Sequence, residues 1–162
     1  MVYVLDTNII SEFVKKNANP GVIDWAQDHN EKLFITTVSI MELNYGIMRM
    51  PDGKRKGMLQ EVINAIVKEC ADRVYPLDSF SAYLCAKLRC KAEALGRPPQ
   101  IADCMIAAIC QRNNATLVTH NTKDFEHYDI PLIDPFDYES DTLKQLRIRE
   151  AERSPDKNGQ PS

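Results

Sequence analysis

Short apolar runs alternate along the chain with longer stretches in which apolar residues recur every three or four positions. The first run, Val2 to Leu5, ends at Asp6, and an apolar helical pattern begins soon after it. A short apolar run bounded by turn-forming residues is typical of a strand buried on both faces of a parallel sheet. The same pattern predicts four further strands, at 33–37, 74–77, 116–119 and 131–133. Pro76 restricts the third strand to a strand end or to the edge of the sheet.

Helical patterns lie between these runs. In chain order, they cover residues 9–16, a segment that begins at Pro20, residues 39–50, a segment that begins near residue 54, residues 79–95 and residues 101–112. Pro20 suits the first turn of its helix, and Gly96 suits the end of the fifth. In the fourth helix, the spacing of the apolar residues predicts one buried face, made of Leu59, Val62, Ile63, Ile66 and Val67. Strands that alternate with helices predict a three-layer α/β/α sandwich with a mainly parallel central sheet.

The length of 162 residues and the hydrophobic content of 44% predict one globular domain with a substantial core. We assign this domain to residues 1–138. Residues 139–162 are polar and predict a surface appendage, with a helix near 143–153 and a disordered tip.

The composition also limits the partners and the compartment. The net charge of −3 does not by itself indicate a nucleic-acid or membrane partner. No apolar run reaches the roughly 20 residues of a membrane span, and the N-terminus lacks the pattern of a secretory signal. Five cysteines without a C-x-x-C pair and three scattered histidines give no zinc spacing. We therefore expect a cytoplasmic protein with no membrane partner, whose cysteines are small, buried and reduced.

Four acidic residues occupy comparable places in this outline. Asp6 follows the first strand, Glu42 follows the second after a short turn, and Asp124 follows the strand at 116–119. Asp103 lies in the first turn of the helix before that strand, so a helix antiparallel to the strand brings it to the same edge. Parallel sheets bind their ligands at the carboxyl ends of the strands. Four carboxylates at this edge would repel one another unless a divalent cation such as Mg²⁺ or Mn²⁺ compensated them.

Each of these acids also has a purely structural explanation. Asp6 can cap the helix that follows it. Ser39 and Glu42 have the spacing of a capping box, in which Glu42 would bind a backbone amide. Asp103 would interact favourably with a helix dipole, and Asp124 lies in a turn-like segment. The coincidence of all four at one edge favours a metal site, provided that the sheet is parallel.

Four segments that contain these acids resemble the acidic motifs of PIN domains, and most closely those of VapC-type ribonuclease toxins. The segments are Leu5-Asp6-Thr7-Asn8, Ser39-Ile40-Met41-Glu42-Leu43, Ile101-Ala102-Asp103-Cys104-Met105-Ile106-Ala107-Ala108 and Thr119-His120-Asn121-Thr122-Lys123-Asp124-Phe125. The resemblance covers about residues 1–136, with the segments in the family's order. The chain departs from the family at Asn121, where some members have an acid, and at His120, where arginine is frequent.

The resemblance implies a magnesium-dependent endoribonuclease, with Mn²⁺ able to replace Mg²⁺, that acts as the toxin of a toxin–antitoxin pair. It implies that Asp6, Glu42 and Asp103 bind the metal ion. The implied fourth catalytic acid is Asp124, with Asn121 as the alternative position, and Asp124 would help to hold any second metal ion. The implied partners are the RNA substrate, a cognate antitoxin and a second copy of the chain in a homodimer.

Further residues are expected to support this chemistry. The hydroxyl groups of Thr7 and Thr119 would orient the carboxylates or bind ligand water. RNA would approach through a basic rim, whose candidates are Lys15, Lys16, Arg49, Lys54, Arg55, Lys56, Arg89 and Arg97. The basic cluster at 54–56 has the alternative of being a solvated helix face.

Three other functions compete with this interpretation. A haloacid-dehalogenase-type phosphatase also begins with a strand that ends in Asp, but it needs a second Asp two residues later, where this chain has Asn8. A catalytically silent PIN-like binding protein is disfavoured by the presence of Asp6, Glu42 and Asp103. A housekeeping RNA-processing nuclease would have the same site, and a neighbouring antitoxin reading frame would separate a toxin from it.

Overall fold

The central sheet of the protein has five parallel strands. This computed structural model describes residues 1–141, 144–145 and 148. Its strands are β1 (Tyr3–Leu5), β2 (Leu33–Thr36), β3 (Val74–Tyr75), β4 (Thr116–Val118) and β5 (Leu132–Ile133). Their order across the sheet is β3-β2-β1-β4-β5, and every neighbouring pair runs parallel. The predicted parallel sheet is confirmed, and β3 lies at the edge, where Pro76 is tolerated.

Helices connect the strands throughout the described residues. They are α1 (Thr7–Glu12), α2 (Pro20–Asp28), α3 (Thr37–Met48), α4 (Lys54–Glu69), α5 (Ser79–Ala94), α6 (Ile101–Arg112) and α7 (Thr122–Phe125). Short 3-10 helices precede β2 and β3. Gly96 follows α5 with a φ of 71°, a left-handed conformation that glycine adopts without strain, so the predicted end of this helix is confirmed.

Two hydrophobic cores lie on opposite faces of the sheet. Val4 and Leu117 belong to the first core, to which α5 and α6 also contribute. Tyr3, Leu5 and Val118 belong to the second core, to which α1, α2 and α4 contribute. Successive residues of a strand point to opposite faces, so β1 takes part in both cores. The predicted three-layer α/β/α sandwich is therefore confirmed.

The helices α1 and α4 differ in detail from the prediction. The helix α1 begins at Thr7 rather than at Ile9, because Asp6 caps it. In α4, Val62 is 41% exposed while Ile63 is 1% exposed. The prediction that Val62 is buried is wrong, since this residue lies at the margin of the apolar stripe and the helix lies at the surface.

The five cysteines are free thiols. Three of them, Cys85, Cys104 and Cys110, are buried as expected, whereas Cys90 is exposed and the prediction is wrong for it. The part of the chain that the structure describes contains no helix with the length and apolar character needed to cross a membrane. The predicted C-terminal helix and disordered tip lie largely outside the described residues, so the domain boundary at residue 138 stays a prediction.

Gly21 lets the segment after β5 pack directly on α2. A Cβ atom at Gly21 would lie 2.7 Å from the carbonyl oxygens of Pro135 and Phe136. We expect Gly21→Ala to lower the free energy of unfolding by about 1–3 kcal/mol, the usual cost of overpacking. The control is Gly57→Ala in α4, where an added Cβ meets nothing within 4 Å. This control should raise stability by about 0.5–1 kcal/mol, because alanine favours a helix. Urea unfolding measures both changes, and equal stability of the two variants would contradict the tight contact at Gly21.

Candidate active site

Asp6 stands at the carboxyl end of β1, in the middle of the sheet. Its amide donates to the carbonyl oxygen of Val118 (2.9 Å), which extends the pairing of β1 with β4 by one residue. Its Oδ1 accepts a hydrogen bond from the amide of Thr7 (2.7 Å) and so caps α1. Helix capping is therefore a correct explanation for one oxygen of this carboxylate, and the other oxygen has a different environment.

Thr119 and Asn8 hold the second oxygen of Asp6. This Oδ2 accepts from Thr119 Oγ1 and from Asn8 Nδ2, each at 2.7 Å. The fully buried Thr119 hydroxyl also accepts from Asn8 Nδ2 (3.1 Å) and from the Asn121 amide (3.0 Å). Its single donor and two acceptor positions are therefore all used. The expected orienting role of Thr119 is present in these contacts. Asn8 was not predicted as a site residue, although its place two residues after Asp6 was an available signal.

Glu42 is positioned by α3 and by a hydrogen bond from α1. Its Oε2 accepts from Thr7 Oγ1 (2.6 Å), so the expected orienting role of Thr7 is also present. The capping-box explanation is wrong, because Thr36 caps α3 by accepting from the Ser39 amide (2.9 Å). The predicted start of this helix at Ser39 is two residues late for the same reason. Glu42 lies beyond the first turn, where backbone amides already have intrahelical acceptors.

Asp103 is the third residue of α6 and is partly buried. Burial, together with the charges of Asp6, Asp124 and Glu42, raises the pKa of its carboxyl to about 6. The charges of three other carboxylates therefore act on Asp103. We call these four residues, Asp6, Glu42, Asp103 and Asp124, the acidic edge.

Among the described residues, no basic side chain forms a salt bridge with the acidic edge. Burial raises the pKa of Asp6, which is 5% exposed, and the hydrogen bonds from Thr119 and Thr7 only partly offset this effect. The charges of Glu42 and Asp124 raise the pKa of Asp6 further. In the described part of the chain, no salt bridge involves any member of the acidic edge. Such a group of charges is stabilised by a cation from outside the chain.

Asp124 and Asn121 occupy different places beside this edge. Asp124 is exposed, and its charge acts on both Asp6 and Asp103. Asn121 uses its backbone: its amide donates to Thr119, and its carbonyl accepts from the Asp124 amide (3.0 Å). The electrostatic contribution to the acidic edge therefore comes from Asp124.

The acidic edge suits a divalent cation by charge and by donor type, since carboxylate oxygens are the ligands that hard cations prefer. The side chains do not form a closed metal site: among the described residues, no group of three or more His, Cys, Asp or Glu is arranged to hold an ion. Hydrogen bonds from Thr7, Asn8 and Thr119 hold Asp6 and Glu42 instead. The carboxylates of the acidic edge therefore fit such a cation by charge and donor type, although they are not arranged as a complete ligand set.

His120 follows the buried Thr119 and is held on two sides. Its Nδ1 lies 3.0 Å from Asp134 Oδ2, and its ring stacks on Phe136 with centroids 3.7 Å apart. Its amide donates to Asn8 Oδ1 (3.3 Å). The backbone of His120 therefore supports the asparagine that orients Asp6, which is a structural role in the place where arginine is frequent in PIN domains.

Several residues of the predicted basic rim are engaged with other side chains. Salt bridges join Lys15 to Glu12, Lys56 to Asp52, Arg89 to Glu93 and Arg97 to Glu126. Arg49 lies over the ring of Tyr45, with its guanidinium carbon 5.4 Å from the centroid. Of the predicted set, Arg97 lines a cleft together with Asp103 and Asp124. Lys123 lines the same cleft and was not predicted, although it immediately precedes Asp124 in the sequence.

Relatives of known name extend over most of the chain. It is 35% identical over 136 residues to the plasmid stability protein StbB of Pseudomonas syringae pv. tomato, a match that covers 83% of this chain and 98% of that protein. It is 30% identical over 135 residues to toxin FitB of Neisseria gonorrhoeae, covering 82% and 97% respectively. It is 31% identical over 136 residues to the VapC ribonuclease Y4jK of Sinorhizobium fredii, covering 83% and 97%.

The fold also matches a solved structure. FitAB bound to an IR36 DNA fragment aligns with a TM-score of 0.78 and 28% identity, over 86% of this chain and 99% of that one. The family model for the PIN domain matches residues 3–131, a range that contains the whole acidic edge. With its five parallel strands, its acidic edge, a family model that matches residues 3–131 and relatives that match 83% of its length, the chain belongs to the PIN domain family.

Proposed function

We propose that this protein is a magnesium-dependent endoribonuclease that acts in the cytoplasm as the toxin of a toxin–antitoxin pair. The observation that carries the proposal is the acidic edge, where Asp103 has a pKa of about 6 beside three other carboxylates. Relatives that are named as a ribonuclease and as a toxin support the reaction and the biological role.

Nucleases of this family depend on divalent metal ions, and the choice of Mg²⁺, with Mn²⁺ as a substitute, is part of the proposal. Asp6, Glu42 and Asp103 would hold the ion, and Asp124 would be the fourth catalytic acid. When bound, the ion supplies an activated water and neutralises charge on the scissile phosphate.

Hydrogen bonds within the chain prepare Asp6 and Glu42 for this role. Asp6 accepts three hydrogen bonds, which favour its ionised form and fix its orientation despite its burial. Thr7 binds both acids, through its amide to Asp6 and through its hydroxyl to Glu42. Groups that orient metal ligands in this way raise metal affinity, because less rearrangement is needed on binding.

We propose that a cognate antitoxin inhibits the enzyme by covering the acidic edge. Large apolar side chains are exposed on α3, which carries Glu42, and on the neighbouring α4; they are Met41, Tyr45, Met48, Met58 and Val62. Exposed apolar groups of this kind are typical of protein interfaces. A basic residue in a disordered antitoxin segment would compete with metal or phosphate for the carboxylates. A homodimer of the toxin is also part of the proposal.

Induced expression in bacteria tests this function. Wild type should arrest growth and create new RNA ends, whereas Asp6→Ala should do neither, because the metal loses a ligand. Co-expression of the adjacent reading frame should restore growth. Cleavage without any effect of that reading frame would favour a housekeeping nuclease, and wild type that leaves both growth and RNA ends unchanged would refute the nuclease.

A further inference from the structure

A polar cleft of about 500 Å³ opens beside the acidic edge. One wall is the connection between α5 and α6, which contributes Arg97 and Gln100, and the other wall is the segment that begins with α7. Asp103 and Asp124 line the cleft, so it is continuous with the site of the proposed reaction. Its volume lies within the range of about 300–1,000 Å³ that is usual for small-ligand sites.

Two basic side chains line this cleft, and they differ in whether they form a salt bridge. Lys123 is exposed and forms no salt bridge with the described residues. Arg97 faces Glu126 across a gap of 3.6 Å, and both side chains are about 60% exposed, at 62% and 60%. Such an exposed pair is weak and exchanges readily with another anion. Both cations are therefore available to a phosphate group.

A further polar group on the same wall has no partner among the residues that the structure describes. The Nε2 atom of His127 is buried and makes no hydrogen bond to the described residues. Its ring packs against Tyr128, with centroids 4.0 Å apart, so the imidazole is held in place. Because this nitrogen is not accessible from the cleft, a ligand in the cleft would be contacted by Lys123 and Arg97 instead.

We propose that this cleft binds the RNA nucleotide next to the scissile phosphate, with Lys123 and Arg97 contacting backbone phosphates. The inference rests on the proposed ribonuclease function and adds the direction in which the RNA strand leaves the acidic edge. A charged, polar lining suits a nucleotide with its phosphate, and it does not suit an apolar peptide.

The charged side chains that line the cleft predict what limits its affinity for RNA. Two cations, Arg97 and Lys123, stand against three carboxylates, those of Asp103, Asp124 and Glu126. Glu126 competes with RNA for Arg97 and also repels the phosphate. Removal of this carboxylate should therefore strengthen RNA binding, whereas loss of either cation should weaken it.

Binding of a fluorescein-labelled single-stranded RNA, followed by anisotropy in chelator at low ionic strength, tests the cleft without cleavage. Lys123→Gln and Arg97→Gln should each weaken binding by about 3–10-fold and lower the slope of log K against log salt by about 0.7, the value for one phosphate contact on a single strand. The control Lys32→Gln removes the same charge from an exposed site just before β2. This site lies at the amino ends of the strands, away from the acidic edge, so the substitution should change neither quantity.

A second pair of variants tests the opposite change, a gain in RNA affinity. Glu126→Gln should tighten RNA binding by about 2–5-fold, an effect of the size of one exposed ion pair. Asp129→Asn is the matched control, because it removes one negative charge three residues away and outside the cleft. Asp129 has a φ of 56°, which asparagine tolerates.

Cleavage kinetics with Mg²⁺ separate this inference from the proposed function. Lys123→Gln and Arg97→Gln should raise KM and leave kcat unchanged, the signature of lost ground-state binding. If wild type cleaves RNA and these variants match Lys32→Gln in both KM and binding, the cleft is wrong and the ribonuclease stands. If wild type neither binds nor cleaves RNA, both proposals fall.

Discussion

Replacement of Asp103 by asparagine should lower metal-dependent RNA cleavage by at least about 100-fold, since even residues that only orient metal ligands are worth about 10–100-fold. The substitution keeps the shape of the side chain and removes one charge from the acidic edge. Without metal, the same variant should melt no lower than wild type, because the charges of Asp6, Asp124 and Glu42 no longer act on a partly buried carboxylate. Mg²⁺ or Mn²⁺ should then stabilise wild type more than the variant, through linkage between binding and folding.

The pH dependence of stability gives a second readout of this variant. Folding raises the pKa of Asp103 from 3.8 to about 6, so between these values the folded state binds more protons than the unfolded state. The contribution of Asp103 to stability is therefore most favourable at low pH and is lost as pH rises through about 6. In chelator, the change in melting temperature between pH 5 and pH 7 should be smaller for Asp103→Asn than for wild type.

A purely structural aspartate would behave differently. Loss of a helix-terminal carboxylate that only interacts with the dipole costs about 0.3–1 kcal/mol, with or without metal. Cleavage would then survive the substitution. Equal destabilisation of Asp103→Asn in chelator and in manganese, together with intact cleavage, would show that Asp103 is not part of a metal site.

The sheet and the positions of the acids were accessible from sequence because they depend on short-range patterns. The apolar run before Asp6 and the run at 116–119 each predict a buried parallel strand, and parallel strands end at one edge. Asp6 and Asp103 could be assigned to that edge from chain order alone. The helical patterns were also informative, since all six helices predicted before residue 113 match observed ones to within two residues at their starts.

The side-chain network was not accessible in the same way. Glu42 has the spacing of a capping box with Ser39, and only the observed cap at Thr36 shows that this explanation is wrong. Asn8 bridges Asp6 and Thr119, which are 113 residues apart, so its role depends on the three-dimensional pairing of β1 with β4.

The polar cleft was hidden from sequence for a related reason. Its two walls come from segments that are separated by the whole of α6 and β4. Arg97 was predicted as one of eight basic candidates, with nothing in the pattern to distinguish it from the others. Its significance comes from its position opposite Lys123, beside Asp103 and Asp124.

Substitution of Thr119 by valine should damage the site and the fold together. Valine has nearly the shape of threonine, so the change removes the buried hydroxyl without opening a cavity. Asp6 Oδ2 then loses a donor, and the Asn121 amide loses its acceptor. We expect a loss of about 1–3 kcal/mol of stability, the cost of leaving buried polar groups unpaired. Cleavage should fall by about 10–100-fold, as expected when a group that orients a metal ligand is removed.

Two matched variants distinguish the hydroxyl of Thr119 from general effects on β4. Thr119→Ser keeps the hydroxyl and should retain most of the cleavage activity, with a small loss of stability from the missing methyl group. Thr116→Val makes the same chemical change three residues earlier, at the first residue of β4, where the side chain is 6% exposed and has no hydrogen bond among the described residues. It should therefore be close to neutral, because no buried partner is left unsatisfied. Urea unfolding and single-turnover cleavage should be measured for all three variants. If Thr119→Val matched Thr116→Val in both measurements, Thr119 would not orient Asp6.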